Sequence, residues 1–368
     1  MTTQAAAQPL VAIAMSGGVD SSTAAALLVH QGYRAFGVMM QLWATHHEQG
    51  FPQNLRSSRD AMDDARRVCD LLGIPFHLVN LEDAFKAQVV DYFCDTYARG
   101  RTPNPCLVCN RQIKFDALWS VASHLGAQRL ATGHYARVRR RNGHYQLLRG
   151  VDREKDQSYV LFMLSQEQLA RALFPLGDLT KALVRALAEQ YRLPIAGKPE
   201  SQDACFISDG DYRAFVAQQR PEAARRGPIL NLEGNVVGQH RGLAFYTVGQ
   251  RQGLGIAAPH PLYVISMDLR RNALVVGPKQ AVFQSELLAE QVHYIAGSPP
   301  AGPVPITAKI RYKAEEASAK LIPLAGDTAR VVFDFDQAAI TPGQGVVFYQ
   351  QEVVLGGGII RSAGPPEE

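Results

Sequence analysis

Two groups of residues in this 368-residue chain have the types and spacing to do chemistry. The first is the turn Ala14-Met15-Ser16-Gly17-Gly18-Val19-Asp20-Ser21, which follows the apolar run Val11 to Met15 and leads into the helix-forming run AAALLV. A strand, a tight turn and a helix in that order surround an anion with glycine amides and the unpaired N–H groups of a helix N-terminus, so the turn is expected to hold phosphate. No Gly-Lys-Ser/Thr closes it, so it is not a Walker A loop and lacks that loop's lysine. The plain alternative is a Gly-rich strand-to-helix turn with no ligand.

The second group is sulfur. Cys106 and Cys109 form a C-x-x-C beside an expected helix start, where the dipole and unpaired amides stabilise a thiolate, and Arg101, Arg111 and Lys114 are close in sequence. A zinc knuckle or packing cysteines would look the same, and no second C-x-x-C completes a four-cysteine zinc site. Cys205 lies in KPESQDACFI, where a lone cysteine is more often a buried small apolar residue than a nucleophile. Cys69 and Cys94 fall within helical patterns and read as core.

The elements that must position these residues alternate. A helix Ser22 to His30 stopped by Gly32, a strand Arg34 to Met40, an irregular stretch Gln41 to Leu55 and a helix from Ser57 or Ser58 to Gly73 come first. A strand Pro75 to Asn80, helices Glu82 to Arg99 and Asn110 to Leu125, and a strand Arg129 to Thr132 leading into Gly133 follow. This order predicts an α/β fold with an N-terminal parallel sheet covered on both faces. At the carboxyl ends of its strands Gly17, Met40 and Gly133 would share one crevice. A hairpin Arg137 to Leu148 around Asn142-Gly143 and helices from Ser165 and Thr180 precede the loop Lys198 to Ile207.

Beyond about residue 210 the pattern changes to one helix, Asp211 to Gln219, and then short strands between Gly, Pro and Asn turns. These are Pro228 to Leu232, Leu262 to Asp268, Ala273 to Val276, Ile306 to Tyr312, Ala329 to Phe335, Gly345 to Tyr349 and Glu352 to Leu355. The pattern predicts a small central mostly β domain and a C-terminal β-barrel, with divisions at 1–210, 211–284 and 285–368.

With 46% hydrophobic and 20% charged residues the composition is that of an ordinary globular protein, and the net charge of +4 suits a nucleic-acid partner without requiring one. The leader MTTQAAAQP has no Lys or Arg and no apolar core, and no apolar run reaches the length of a membrane span. The expectation is a cytoplasmic protein with no membrane partner, whose five cysteines serve redox, metal or nucleophilic chemistry.

SGGVDSS resembles the SGGxDS loop of the PP-loop ATP pyrophosphatases. Taken in order, SGGVDSS, GRTPNPxxxCN, ATGHYAR, KDQSY, the loop around ACFI, YTVGQRQGLGI and TPGQ…LGGGII resemble the tRNA-specific 2-thiouridylases over nearly the whole chain. The resemblance implies ATP-dependent 2-thiolation of uridine-34, the tRNA wobble base. ATP adenylates the C2 oxygen, a sulfur nucleophile attacks C2, and AMP leaves.

It implies that Ala14, Met15, Ser16, Gly17, Gly18, Val19, Asp20, Ser21, Met40 and Gly133 contact ATP, with Asp20 near the pyrophosphate and a Mg²⁺. It assigns tRNA contacts to Asn104, Pro105, Cys106, His134, Lys155, Asp156, Gln157, Arg311, Tyr312 and Gln344. Cys205 would carry a persulfide delivered by a cysteine desulfurase or a sulfur relay, and Cys109 would release its sulfur, leaving a disulfide between the two.

The chain departs from the family pattern at Cys106, where many relatives carry Asp. Cys106, Cys109 and Cys205 would then be three ligands of a [4Fe–4S] cluster, with one iron open to an external sulfide, an alternative to the persulfide. Rival readings are a PP-loop ligase acting on a small acid, which needs neither the cysteines nor the barrel, and a non-catalytic tRNA or sulfur carrier, which does not need SGGVDS.

Overall fold

The computed structural model describes residues 8–42, 54–199, 205–207 and 211–364. They form two compact units, one from 1–88 and 108–208 and one from 89–107 and 209–368. Residues 43–53 of the irregular stretch and 200–204 of the loop before Cys205 lie outside the described residues.

The first unit holds strands β1 (Val11–Met15), β2 (Ala35–Gln41), β3 (Phe76–Asn80), β4 (Arg129–Ala131), β5 (Ala136–Arg141), β6 (His144–Arg149) and β7 (Ala172–Leu173). A parallel sheet runs in the order β3-β2-β1-β4-β7, with β1 at its centre. Val11, Ala12 and Ile13 are fully buried, as a strand covered on both faces requires.

Val11, Ile13 and Met15 pack in one core with Ala24, Ala25 and Leu28 of helix α1 (Val19–His30) and Ala65, Val68 and Cys69 of helix α2 (Asn54–Leu72). Val184 and Ala188 of helix α3 (Lys181–Gln190) complete it. The β5–β6 hairpin turns through Asn142 and Gly143, both at positive φ (50° and 84°), the geometry that an Asn-Gly pair favours.

Two expected helices differ from their sequence reading. The run expected from Asn110 begins at Pro105, passes through a π-helical segment Cys109–Leu118 and ends as Trp119–His124. The reason is local: Asn104 Oδ1 accepts the Cys106 N–H at 3.2 Å, and Pro105 takes a first-turn position where its missing N–H costs nothing. Cys109 is therefore inside a helical run and not ahead of it. The helix expected over Glu82 to Arg99 also carries a π-helical turn, Lys86–Val90, before Asp91–Ala98.

In the second unit, β8 (Gly227–Leu230), β9 (Val236–His240), β10 (Tyr263–Asp268) and β11 (Ala273–Gly277) form a sheet in the order β10-β11-β8-β9 over Ile229, Val264, Leu274 and Val276. Strands β12 (Phe283–Tyr294), β13 (Val304–Lys309), β14 (Ala317–Pro323), β15 (Thr328–Ala338), β16 (Gly345–Gln350) and β17 (Val353–Ala363) follow. They pair antiparallel in the order β12-β15-β14-β13-β16-β17, and β17 pairs back on β12, closing a barrel.

Leu287, Ile306, Leu321, Val331, Phe348 and Ile360 pack together in the barrel core, and closure leaves these strands no open edge. The strand expected to reach Tyr312 ends at Lys309, so Arg311 and Tyr312 lie in the turn that follows. Residues 89–107 join this unit through Arg220, whose guanidinium donates to Asp95 Oδ1 and Asp91 Oδ1 at 2.7 and 3.2 Å.

Candidate active site

The turn after β1 is shaped by contacts that tolerate no side chain. Gly17 has φ +68°, and a Cβ there would sit 2.2 Å from the Ala61 carbonyl oxygen. At Gly133, beyond the end of β4, a Cβ would lie 2.8 Å from the Ser21 nitrogen. Gly18, the N-cap of α1, is extended (φ −103°, ψ 167°) and makes no side-chain cap bond. The positive end of a 12-residue helix thus opens onto the turn.

Ser21 Oγ donates to the Gly18 carbonyl at 3.2 Å and accepts from the Ser16 N–H at 3.1 Å, which curls the turn back on itself. Met39 lies opposite Met15, and Ala131 opposite Ile13, so the carboxyl ends of β1, β2 and β4 bring Gly17, Met40 and Gly133 to one edge of the sheet.

The turn has no lysine of its own, and the tertiary structure brings in two. Lys181 Nζ lies 2.6 Å from Asp20 Oδ1, with its side chain only 11% exposed. Lys198 Nζ donates to the Gly17 carbonyl oxygen at 3.0 Å and to Asp64 Oδ2 at 2.8 Å.

The Tyr135 hydroxyl also donates to Asp20 Oδ1, at 2.8 Å. Both donors take Oδ1, and Asp20 Oδ2 has no hydrogen-bond partner among the described residues. A carboxylate oxygen left open beside a phosphate-binding turn fits a hard divalent cation such as Mg²⁺. Nothing in local spacing marks Lys181, Lys198 or Tyr135. Their common signal is that each flanks a segment already singled out: Thr180 as a helix cap, the Cys205 loop and Gly133-His134.

Cys69 and Cys94 are buried, as the core reading expects, and burial, with Asp70 next to it, pushes the Cys69 thiol up to about 11. Cys109 is buried in its π-helical segment, whereas Cys106 and Cys205 are exposed.

The residue after Cys205 is anchored. Phe206 is buried against Phe85, edge to face with ring centroids 5.7 Å apart, and helix Glu82–Phe85 packs on the Cys109–Leu118 segment. Among the described residues no three of His, Cys, Asp and Glu gather closely enough to hold a metal ion.

The residues expected at tRNA fall in both units. In the second, Gln344 Nε2 donates to the Thr102 and Pro103 carbonyls at 3.1 and 3.0 Å, which ties it to the segment carrying Asn104, Pro105 and Cys106. Arg311 is exposed, and Lys309 Nζ stands 5.9 Å from the centroid of the Tyr312 ring.

In the first unit, Lys155 and Gln157 are partly exposed, but Asp156 is buried and its carboxylate accepts from the Gly150 N–H, the Ser158 N–H and the Ser158 hydroxyl. His134 is 8% exposed, packed near Phe115 and Phe174, with Nδ1 2.7 Å from Thr132 Oγ1. Burial, then the Lys114 cation, holds its pKa well below the usual histidine value, so its ring is neutral at neutral pH.

A phosphate turn at the head of a parallel sheet, followed by two β modules, defines a nucleotide-binding α/β domain with β-rich appendages. The model of a tRNA methyl transferase HUP domain matches residues 9–209. That of a tRNA methyl transferase PRC-barrel domain matches 213–278, and that of an aminomethyltransferase β-barrel domain matches 284–360.

The chain is 50% identical to the tRNA-specific 2-thiouridylase MnmA of Moorella thermoacetica, over 95% of this chain and 99% of the relative. It is 48% identical to that of Roseiflexus castenholzii, over 95% and 98%. The chain belongs to the tRNA-specific 2-thiouridylase family. Among solved structures, the U34-tRNA thiolase NcsA from Methanococcus maripaludis aligns with 60% of this chain and 67% of its own at 20% identity and a TM-score of 0.34, too loose a likeness to argue from.

Proposed function

We propose that this chain is an ATP-dependent tRNA-uridine 2-sulfurtransferase acting on uridine-34. The observation that carries the reading is the turn Ser16 to Ser21, with an uncapped helix end, one open oxygen on Asp20 and two lysines at hand, in a chain of this family. Backbone amides of Gly17 to Ser21 hold the pyrophosphate of ATP. The uridine C2 oxygen attacks the α-phosphorus, pyrophosphate leaves, and C2 carries an adenylate. Mg²⁺, held by Asp20, would screen the phosphate charge.

Sulfur comes from a persulfide on Cys205, whose terminal sulfur bonds to C2 as AMP departs. The Cys109 thiolate attacks the Cys205 sulfur and breaks the S–S bond. The thiolated base and a Cys109–Cys205 disulfide remain, and an external thiol reduces the disulfide for the next turnover. The supporting geometry is the Phe206–Phe85 anchor, which holds Cys205 to the helix that packs on the Cys109 segment. A cysteine desulfurase or relay protein of the cytoplasm supplies the persulfide to the exposed Cys205.

Asn104, Pro105, Cys106, Lys155, Gln157, Arg311, Tyr312 and Gln344 meet tRNA, while His134 and Asp156 shape the surface from behind it, since both are buried. Residues 1–210 serve catalysis, 211–284 form the central domain and 285–368 the barrel. No helix among the described residues is long and apolar enough to cross a membrane.

Mass spectrometry of nucleosides from tRNA incubated with the protein, ATP, Mg²⁺ and a sulfur source tests the proposal. The expected result is 2-thiouridine at position 34, with AMP and pyrophosphate released only when tRNA is present. AMP formation indifferent to tRNA, or no thiolated base, overturns it. Iron assay of the same preparation after anaerobic purification tests the sulfur route: iron-free protein that thiolates supports the persulfide, and activity only with bound iron overturns it.

A further inference from the structure

The loop Asp152 to Gln157 touches Asp20 of the nucleotide turn by two separate arms. In the first, the Gln157 N–H donates to the Tyr135 carbonyl at 2.9 Å, and Gln157 Oε1 accepts the Tyr135 N–H at 3.0 Å. The Tyr135 hydroxyl then donates to Asp20 Oδ1 at 2.8 Å. In the second, Asp152 Oδ1 accepts the Glu154 and Lys155 N–H groups, and its Oδ2 accepts the Lys181 N–H at 2.8 Å. The Lys181 ammonium then meets Asp20 Oδ1 at 2.6 Å.

The two arms converge on one oxygen and leave Oδ2 without a hydrogen-bond partner among the described residues. There is little slack between them. Tyr135 is buried, and the Lys181 ammonium stands 5.8 Å from its ring centroid. Gly133, two residues upstream, is so close to the turn that a Cβ on it would lie 2.9 Å from the Asp20 carbonyl carbon. A shift of the Gly133–Tyr135 segment is therefore transmitted to Asp20, because packed atoms at contact distance move together. The bonds at the far end are charge-assisted, the class whose loss costs most.

We propose that Tyr135 and Lys181 are positioning residues through which the Asp152–Gln157 loop orients Asp20, so that RNA at this loop and ATP at the turn bind cooperatively. The inference rests on the proposed function, which places RNA at Lys155 and Gln157 and ATP at the turn. It supplies what that reading lacks: a physical reason for ATP to be cleaved only when a base is ready to accept AMP. Coupling of this kind is reciprocal, so whatever factor RNA adds to ATP affinity, ATP adds to RNA affinity.

The test is the dissociation constant of the full-length protein for substrate tRNA, with and without a non-hydrolysable ATP analogue and Mg²⁺. Wild type is expected to bind tRNA at least fivefold more tightly with the analogue, the lower end of ordinary coupling. At saturating analogue, Tyr135→Phe, which keeps the ring and its packing, is expected to bring that ratio below twofold while tRNA affinity without analogue stays within twofold of wild type, and Lys181→Met, which keeps the apolar stem, is expected to bring the ratio below twofold likewise. A purely structural role for either side chain would weaken tRNA binding or lower the melting temperature without changing the ratio.

A wild-type ratio of one, or a wild-type ratio retained in either variant, overturns the inference. Failure of the wild-type protein to thiolate tRNA would overturn the proposed function instead, so the two failures are distinguishable.

Discussion

Lys198 reaches over the nucleotide turn and donates to the Gly17 carbonyl oxygen at 3.0 Å, with Asp64 Oδ2 at 2.8 Å on its other side. A Walker A loop carries its lysine in the turn. Here the cation comes from a residue 181 positions downstream, at the entrance to the Cys205 loop. Lys198→Met removes a charge that the ATP phosphates would meet, and the expected effect is a rise of roughly tenfold in the KM for ATP, equivalent to about 1.4 kcal/mol. Steady-state kinetics check it. An unchanged KM would mean that Lys198 only staples the turn to Asp64.

Gly17→Ala puts a methyl group where the Ala61 carbonyl oxygen stands and forces a left-handed φ on alanine. The strain alone costs about 1–3 kcal/mol, and the clash adds to it. A lower melting temperature and loss of ATP binding are expected. Gly197→Ala is the control: no atom lies within 4 Å of its Cβ position and its φ is ordinary, so melting should stay level or rise slightly.

Cysteine alkylation at mildly alkaline pH, followed by peptide mass spectrometry, should label Cys106 and Cys205 first. Both are exposed, whereas Cys94 is buried and the Cys69 thiol, pushed up to about 11, offers almost no thiolate. Rapid labelling of Cys69 in the native protein would contradict its placement on the buried face of α2. Cys109→Ser and Cys205→Ser are each expected to abolish thiolation of tRNA, and a fully active single variant would remove that cysteine from the mechanism.

His134 makes stability depend on pH in a definite direction. Its folded pKa is depressed by burial and by Lys114, so between that value and about 6.5 the unfolded chain binds the extra proton. Its contribution is complete above about pH 6.5 and is lost as pH falls below it, at up to about 1.4 kcal/mol per pH unit. His240, lowered by burial, acts in the same sense. His134→Gln should therefore flatten, without abolishing, the fall in melting temperature between pH ~6.5 and ~5. An unchanged slope would show that His134 already carries a proton in the folded state.

Much of the first unit was legible because its signals are local. Asn142-Gly143 dictated a hairpin, Ser165 starts the expected helix through a capping box with Gln168, and Thr180 caps α3. The helix starts at Pro105 rather than at the expected Asn110, because Asn104 caps the Cys106 N–H and Pro105 fits a first helical turn. The end of β13 at Lys309 was missed because the alternation continues past it through Ile310 and Tyr312.

By itself the sequence determined the strand, turn and helix around Ser16 to Ser21, the order of modules and which cysteines to propose as the sulfur carriers. These are set by glycines, caps and residue chemistry within a few positions of one another. Only the tertiary structure decided which oxygen of Asp20 is occupied, that Lys181 and Lys198 supply the cations the turn lacks, and that Cys109 is interior while Cys106 faces solvent. Those facts depend on pairs up to 181 positions apart, brought together by sheet register and core packing, which no local pattern records.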